Sequence, residues 1–205
     1  MGINLKKGQK IDLTKNGGAG LSRVMVGLGW DEAPQGSGGL LGALFGGGQT
    51  IDCDASAILC GADGKVINPD VHKNCVFYGN LRDSSGAIVH QGDNLTGAGE
   101  GDDEQIMVTL NKVPQNIGKI VFVVNIYHAK QKRQHFGMIR NAFIRLVDMD
   151  SRTEICKYNL SENYNNMTGL VVGEIYRRNG EWKFNAIGQP VREASLITDL
   201  IALYL

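Results

Sequence analysis

The chain has 205 residues, enough to bury a core in one large domain or two small ones. Its composition, 42% hydrophobic and 20% charged, is ordinary for a globular protein. The 21 basic and 21 acidic side chains cancel, which excludes a global field that recruits nucleic acid or an anionic membrane.

Residues 1–20 contain no apolar leader segment, so no secretory signal is expected and the expected compartment is the cytoplasm. Short alternating or β-branched runs follow at 11–13, 24–28, 51–60, 75–78, 87–90, 105–110, 119–127, 142–149, 154–160, 170–176 and 182–187. Between the second and third lies a glycine-rich stretch, 36–48, with Leu40, Leu41, Leu44 and Phe45 at its centre. It reads as a flexible insertion, or as an apolar knob that docks on a partner or a membrane surface. The longest purely apolar run, Ile120 to Val124, is too short to span a bilayer. Helices are expected over 129–139 and 193–204. In the second, Leu196, Ile197, Leu200, Ile201 and Tyr204 share a face that should pack on a sheet. Asn179-Gly180 suits the positive-φ positions of a type I′ hairpin turn. Many strands and few helices predict a mainly β fold, an antiparallel β-sandwich with short peripheral helices including a C-terminal one. Cys53, Cys60, Cys75 and Cys156 form no C-x-x-C pair and read as small buried thiols.

The chemistry concentrates in residues 92–104, where five acids and several glycines occur without a Lys or Arg. Crowded carboxylates repel one another, and a bound cation removes that repulsion. Calcium suits the composition because it accepts six to eight oxygens in flexible geometry, whereas magnesium demands a stricter octahedron. Leu95 and Ala98 stand where an EF-hand needs Asp or Asn and then Gly, so the geometry must come from elsewhere in the fold. The natural second contributor is Asp52-Cys53-Asp54-Ala55-Ser56. In a strand, Asp52, Asp54 and Ser56 share one face, with the two aspartate α-carbons about 7 Å apart. Phosphate cradles, P-loops and hydrolase or zinc-protease motifs do not fit.

These segments resemble the tellurium-resistance TerD family. The resemblance lies in Ile51 to Ser56, Gly92 to Glu104, the run from Lys119 through Arg145, and Tyr176 to Phe184, and it extends over almost the whole chain. It implies one calcium-binding β-sandwich domain over 1–205, holding two close calcium ions and linked to tellurite resistance and stress response without an enzymatic activity. Carried over residue by residue, the metal site would comprise Asp52, Asp54, Asp93, Asn94, Asp102, Asp103, Glu104 and Glu162, with Leu95 and Gly101 contributing backbone carbonyls. The expected partners are calcium and the proteins of a stress-response assembly, at a membrane surface if the apolar knob docks there; nucleic acid is not expected. Two other readings stay open. One is a metal-dependent enzyme acting on a phosphorylated small molecule, with His90 or His128 moving a proton. The other is a lectin-like interaction module whose calcium bridges a ligand.

Overall fold

The computed structural model describes residues 2–13, 20–32, 51–68, 70–92, 101–160 and 164–205. The insertion at 36–48 lies outside these residues. The strands form two six-stranded sheets. The first runs β1 (Ile3–Leu5), β10 (Thr153–Asn159), β9 (Ile139–Asp148), β3 (Arg23–Glu32), β7 (Glu104–Thr109) and β6 (Ile88–His90). The second runs β2 (Lys10–Asp12), β12 (Glu181–Val191), β11 (Gly169–Arg178), β8 (Lys119–Ile126), β4 (Cys53–Cys60) and β5 (Cys75–Val76). Pairing is antiparallel throughout except where β1 lies parallel to β10.

Side-chain alternation builds the interior between the sheets. Val24, Val26 and Leu28 of β3, with Ile106 and Val108 of β7, meet Cys53, Ala55 and Ala57 of β4 and Phe122 and Val124 of β8. β8 is unusual in being covered on both faces. Its alternate residues Val121 and Val123 join Ile58, Cys60 and Val171 under a second apolar layer. This double covering explains the unbroken run Ile120 to Val124, since neither face meets water.

The second layer is closed by α3 (Ile197–Ile201), which continues into a tighter turn over Ala202–Tyr204. Ile197, Leu200 and Ile201 are buried on the sheet, as the helical spacing predicts. Leu196 is instead exposed, because it precedes the first turn. The Asp199 carboxylate accepts from the backbone N–H groups of Ser195 and Leu196, at 2.9 and 3.0 Å, and so caps the helix start.

The expected helix over 129–139 is corrected to a single turn, α2 (Ala129–Lys132). His128 and Arg133 bracket it in the left-handed region, with φ of 54° and 55°. Phe136 is then drawn into the core, its N–H donating to Met167 O at 2.8 Å, and β9 begins at Ile139 to pair with Glu32. Long-range pairing thus overrides local helix propensity. The hairpin at Asn179-Gly180 is as expected: φ is 54° and 81°, and Arg178 faces Glu181 across it. β1 has no counterpart among the predicted runs, because a three-residue strand carries too few alternations to stand out.

The helix-to-sheet layer makes a direct prediction. Leu200→Ala should destabilise the protein by about 2–5 kcal/mol in urea unfolding, as for other fully buried leucines. Leu203→Ala, on the exposed side of the same segment, should change stability by less than about 0.5 kcal/mol. Equal effects from the two would show that this segment does not pack as described.

Candidate functional site

Inward-facing residues of β3 leave Gly27 and Gly29 on its outer surface, and these two glycines make a trough. A Cβ on Gly27 would fall inside the Asp102 carboxylate, and one on Gly29 would lie 2.6 Å from Gly101 O. Bare backbone at both positions therefore lets the end of the acidic loop cross β3 in close contact. Gly101 itself has φ of 113°, a conformation that L side chains rarely adopt.

Three consecutive acids leave this crossing in different directions. Asp102 reaches across Gly27 to Arg145 of β9, whose Nε and Nη2 donate to its two oxygens at 2.7 and 2.9 Å. The aspartate side chain is wholly buried and the arginine partly so, and this fork holds the guanidinium charge firmly. Asp103 turns toward the end of β3. Its Oδ2 accepts from Trp30 N–H at 2.7 Å while its own N–H donates to Leu28 O at 2.8 Å. Glu104 takes the inward position set by alternation with Ile106 and Val108, and so enters the space between the sheets.

Glu104 meets β4 there. β5 pairs with Ala57 and Ile58, and among the described residues no strand lies beside that edge of β4 at Ala55. Glu104 Oε2 fills that gap by accepting from Ala55 N–H at 2.5 Å. His90 Nε2 lies 3.4 Å from the same oxygen, and both side chains are fully buried. The other ring nitrogen of His90, Nδ1, accepts from Gly92 N–H at 3.2 Å, which orients the imidazole.

Asp52 and Asp54 flank the inward-facing Cys53 and so lie on the opposite face of β4, as alternation predicts. They are not a solvated edge, however. Asp54 and Ser56 are buried beneath the segment that leads into α3. Asn125, directly across on β8, donates from Nδ2 to Asp54 Oδ2 at 3.2 Å. Lys132 Nζ stands 3.9 Å from Asp52 Oδ2. Asn125 Oδ1 is buried without a hydrogen-bond partner among the described residues, an acceptor that a hard cation would satisfy.

Asp52 and Asp54 thus come from one segment and Asp102, Asp103 and Glu104 from another, far apart in sequence. Burial pushes the Cys53 thiol well above its usual range, and Asp54, Glu104, Asp52 and Asp103 each push it further. The Asp103 carboxyl is also raised. Burial is the main cause, opposed by the Trp30 hydrogen bond and reinforced by Asp31 and Asp102. Asp103 opens onto a cleft of about 580 Å³, with Asp31 and Gly101 beside it and Phe143, Lys157 and Asn159 among the residues opposite.

Among the sequence-derived candidates, the structure thus describes Asp52, Asp54, Gly101, Asp102, Asp103 and Glu104. Asp93, Asn94, Leu95 and Glu162 lie outside the described residues. Among the described residues, no three acidic, histidine or cysteine side chains form a ready-made metal cluster. Asp31, Trp30, Gly27 and Asn125 escaped the sequence reading. Asp31 stands with Glu32 at the end of an apolar strand, and only the fold brings it beside Asp103.

Comparison with known proteins agrees with this architecture. The TerD domain model matches residues 1–204. The chain is 52% identical over 204 residues to stress response protein SCP2 of Bacillus subtilis (strain 168), covering 100% of both. It is 43% identical over 189 residues to tellurium resistance protein TerD of Serratia marcescens, covering 92% of this chain and 91% of that one. A solved structure of a homologue of telluride resistance protein (TerD) from Streptomyces coelicolor A3(2) shares the fold with a TM-score of 0.60 at 22% identity, over 85% of this chain and 92% of that chain. With a match across its whole length and relatives at these identities, the chain belongs to the TerD family.

Proposed function

We propose that the chain is a non-catalytic calcium-binding protein of stress response, including resistance to tellurium compounds. The observation that carries this reading is that Asp31 and Asp103 line one cleft together with Gly101. Gathering carboxylates in this way is unfavourable unless a cation compensates them. The oxygen-only donors and the unpartnered Asn125 Oδ1 suit calcium.

The arrangement supports two ions rather than one. β4 separates Asp52 and Asp54 from the cleft that holds Asp31, Gly101 and Asp103. Each group supplies too few oxygens alone, and in this reading Asp93, Asn94 and Leu95 complete them from the loop between, with Glu162 as a further donor. Asp102 braces the site rather than ligates, because Arg145 already holds both its oxygens, while the Ala55 N–H engages Glu104 Oε2. Calcium then ties the loop to both sheets and orders a surface for partners. The site's nearest histidine, His90, is wholly buried against Glu104, which favours a positioning role over proton transfer to a substrate.

Calorimetric titration should give a stoichiometry near two. Excess calcium should raise the melting midpoint relative to chelator, by about 2.7 kcal/mol of stability at one hundred times Kd. Absence of both heat and shift would sink the calcium reading. The division of roles is tested separately. Asp103→Asn should lose calcium stabilisation yet melt no lower than wild type in chelator, because it removes a carboxylate whose charge the fold disfavours. Asp102→Asn should keep the stoichiometry. Arg145→Ala should cost about 3 kcal/mol in urea unfolding by leaving a buried carboxylate uncompensated. Adding Asp102→Asn to it should recover part of that loss.

A further inference from the structure

Among the described residues the two sheets end in β1 and β6, and in β2 and β5. An exposed edge strand is a template for pairing with another chain, and three of these edges carry a device against it. Residues 81–83 cover β6, with His90 N–H donating to Leu81 O at 2.8 Å and Asp83 N–H to Ile88 O at 3.1 Å. On β5, Asn80 Nδ2 donates to Cys75 O at 2.8 Å. β2 carries the charged side chains of Lys10 and Asp12 at exposed positions. β1 differs. Ile3, Asn4 and Leu5 bear no charge, Asn4 is exposed, and Ile3 is 52% exposed.

We propose that β1 pairs antiparallel with β1 of a second copy of this chain, about a two-fold axis at Asn4, joining the two first sheets into one. That register sets Ile3 opposite Leu5 of the second copy and Gly2 opposite Lys6 of the second copy. Ile3 and Leu5 share the face turned toward the core, where Leu5 is buried, so the pairing covers the exposed Ile3 with a leucine. Gly2, Asn4 and Lys6 share the other face. A Cβ on Gly2 would lie 2.5 Å from Glu154 Oε1, so this carboxylate rests where Lys6 of the second copy arrives. Glu154 lies 3.5 Å from Arg145 in its own chain, and its side chain keeps 32% of its surface exposed. The two-fold makes the lysine–glutamate contact twice and sets no like charges opposite each other between residues 2 and 6. Self-complementarity in both the apolar and the charged positions selects a second copy over an unrelated strand. So short a pairing makes a weak, reversible dimer.

The test is analytical ultracentrifugation of the untagged full chain in chelator, so that its outcome is independent of the calcium reading. Wild type should shift from monomer toward dimer between about 10 µM and 1 mM. Ile3→Lys should stay monomeric across that range, with a melting midpoint unchanged in dilute solution because Ile3 is exposed in the single copy. Lys6→Glu and Glu154→Lys should each weaken association by about tenfold or more. An equimolar mixture of those two variants should associate as wild type does, since both contacts then join opposite charges. Mixing repairs a charge contact and leaves a folding defect as it was. Wild type that is monomeric at the highest concentration, a dimer that survives Ile3→Lys, or a mixture that associates no better than its components would overturn the pairing.

Discussion

The Glu104 carboxylate, seated on the Ala55 N–H, is the contact on which the geometry of this end of the sandwich depends. Among the described residues no strand borders β4 at Ala55 on its β5 side, and an open backbone edge there must be satisfied or wetted. A glutamate from the facing sheet satisfies it at 2.5 Å. That single bond fixes the spacing between β4 and β7, and with it the separation of the acids carried by each. It also fixes where the acidic loop ends, because Glu104 is the first residue of β7.

Around this contact the protein spends polar chemistry on placing negative charge. Asp102 is locked by a two-pronged arginine, Asp103 by the Trp30 amide, and Asp54 by an asparagine amide. Each of these contacts orients a carboxylate, and Asp103 keeps Asp31 and Asp102 as like-charged neighbours. A cation is the natural complement of such an arrangement, which is the physical content of the proposed calcium site. The two outward glycines of β3 serve the same end, since any side chain there would displace the loop end.

The apolar architecture makes this affordable. One layer lies between the sheets and a second lies between β8 and α3, so β8 is enclosed on both sides. The acids of β4 sit at the margin of that second layer rather than in water, where the effective dielectric is lower and their interactions are stronger. Lys157 on β10 lines the same cleft as Asp103, its ammonium set over the Phe143 ring.

Much of this was legible in the residues alone. Alternation identified the strands that fill both sheets, Asn179-Gly180 marked its hairpin, and the outward stripe of Asp52, Asp54 and Ser56 followed from a period of two. The C-terminal face of Ile197, Leu200 and Ile201 was legible because helical spacing leaves little choice about which side is buried. The residues decided which side chains are oxygen donors and which faces are apolar, since both are local properties of composition and periodicity. The tertiary structure alone decided that Asp31 stands beside Asp103, that Arg145 pairs with Asp102, that Glu104 accepts from the Ala55 N–H, and that 129–139 is not one continuous helix. Those outcomes depend on sheet order, on which strand lacks a neighbour, and on where a glycine permits close approach, and no local pattern encodes such long-range pairings.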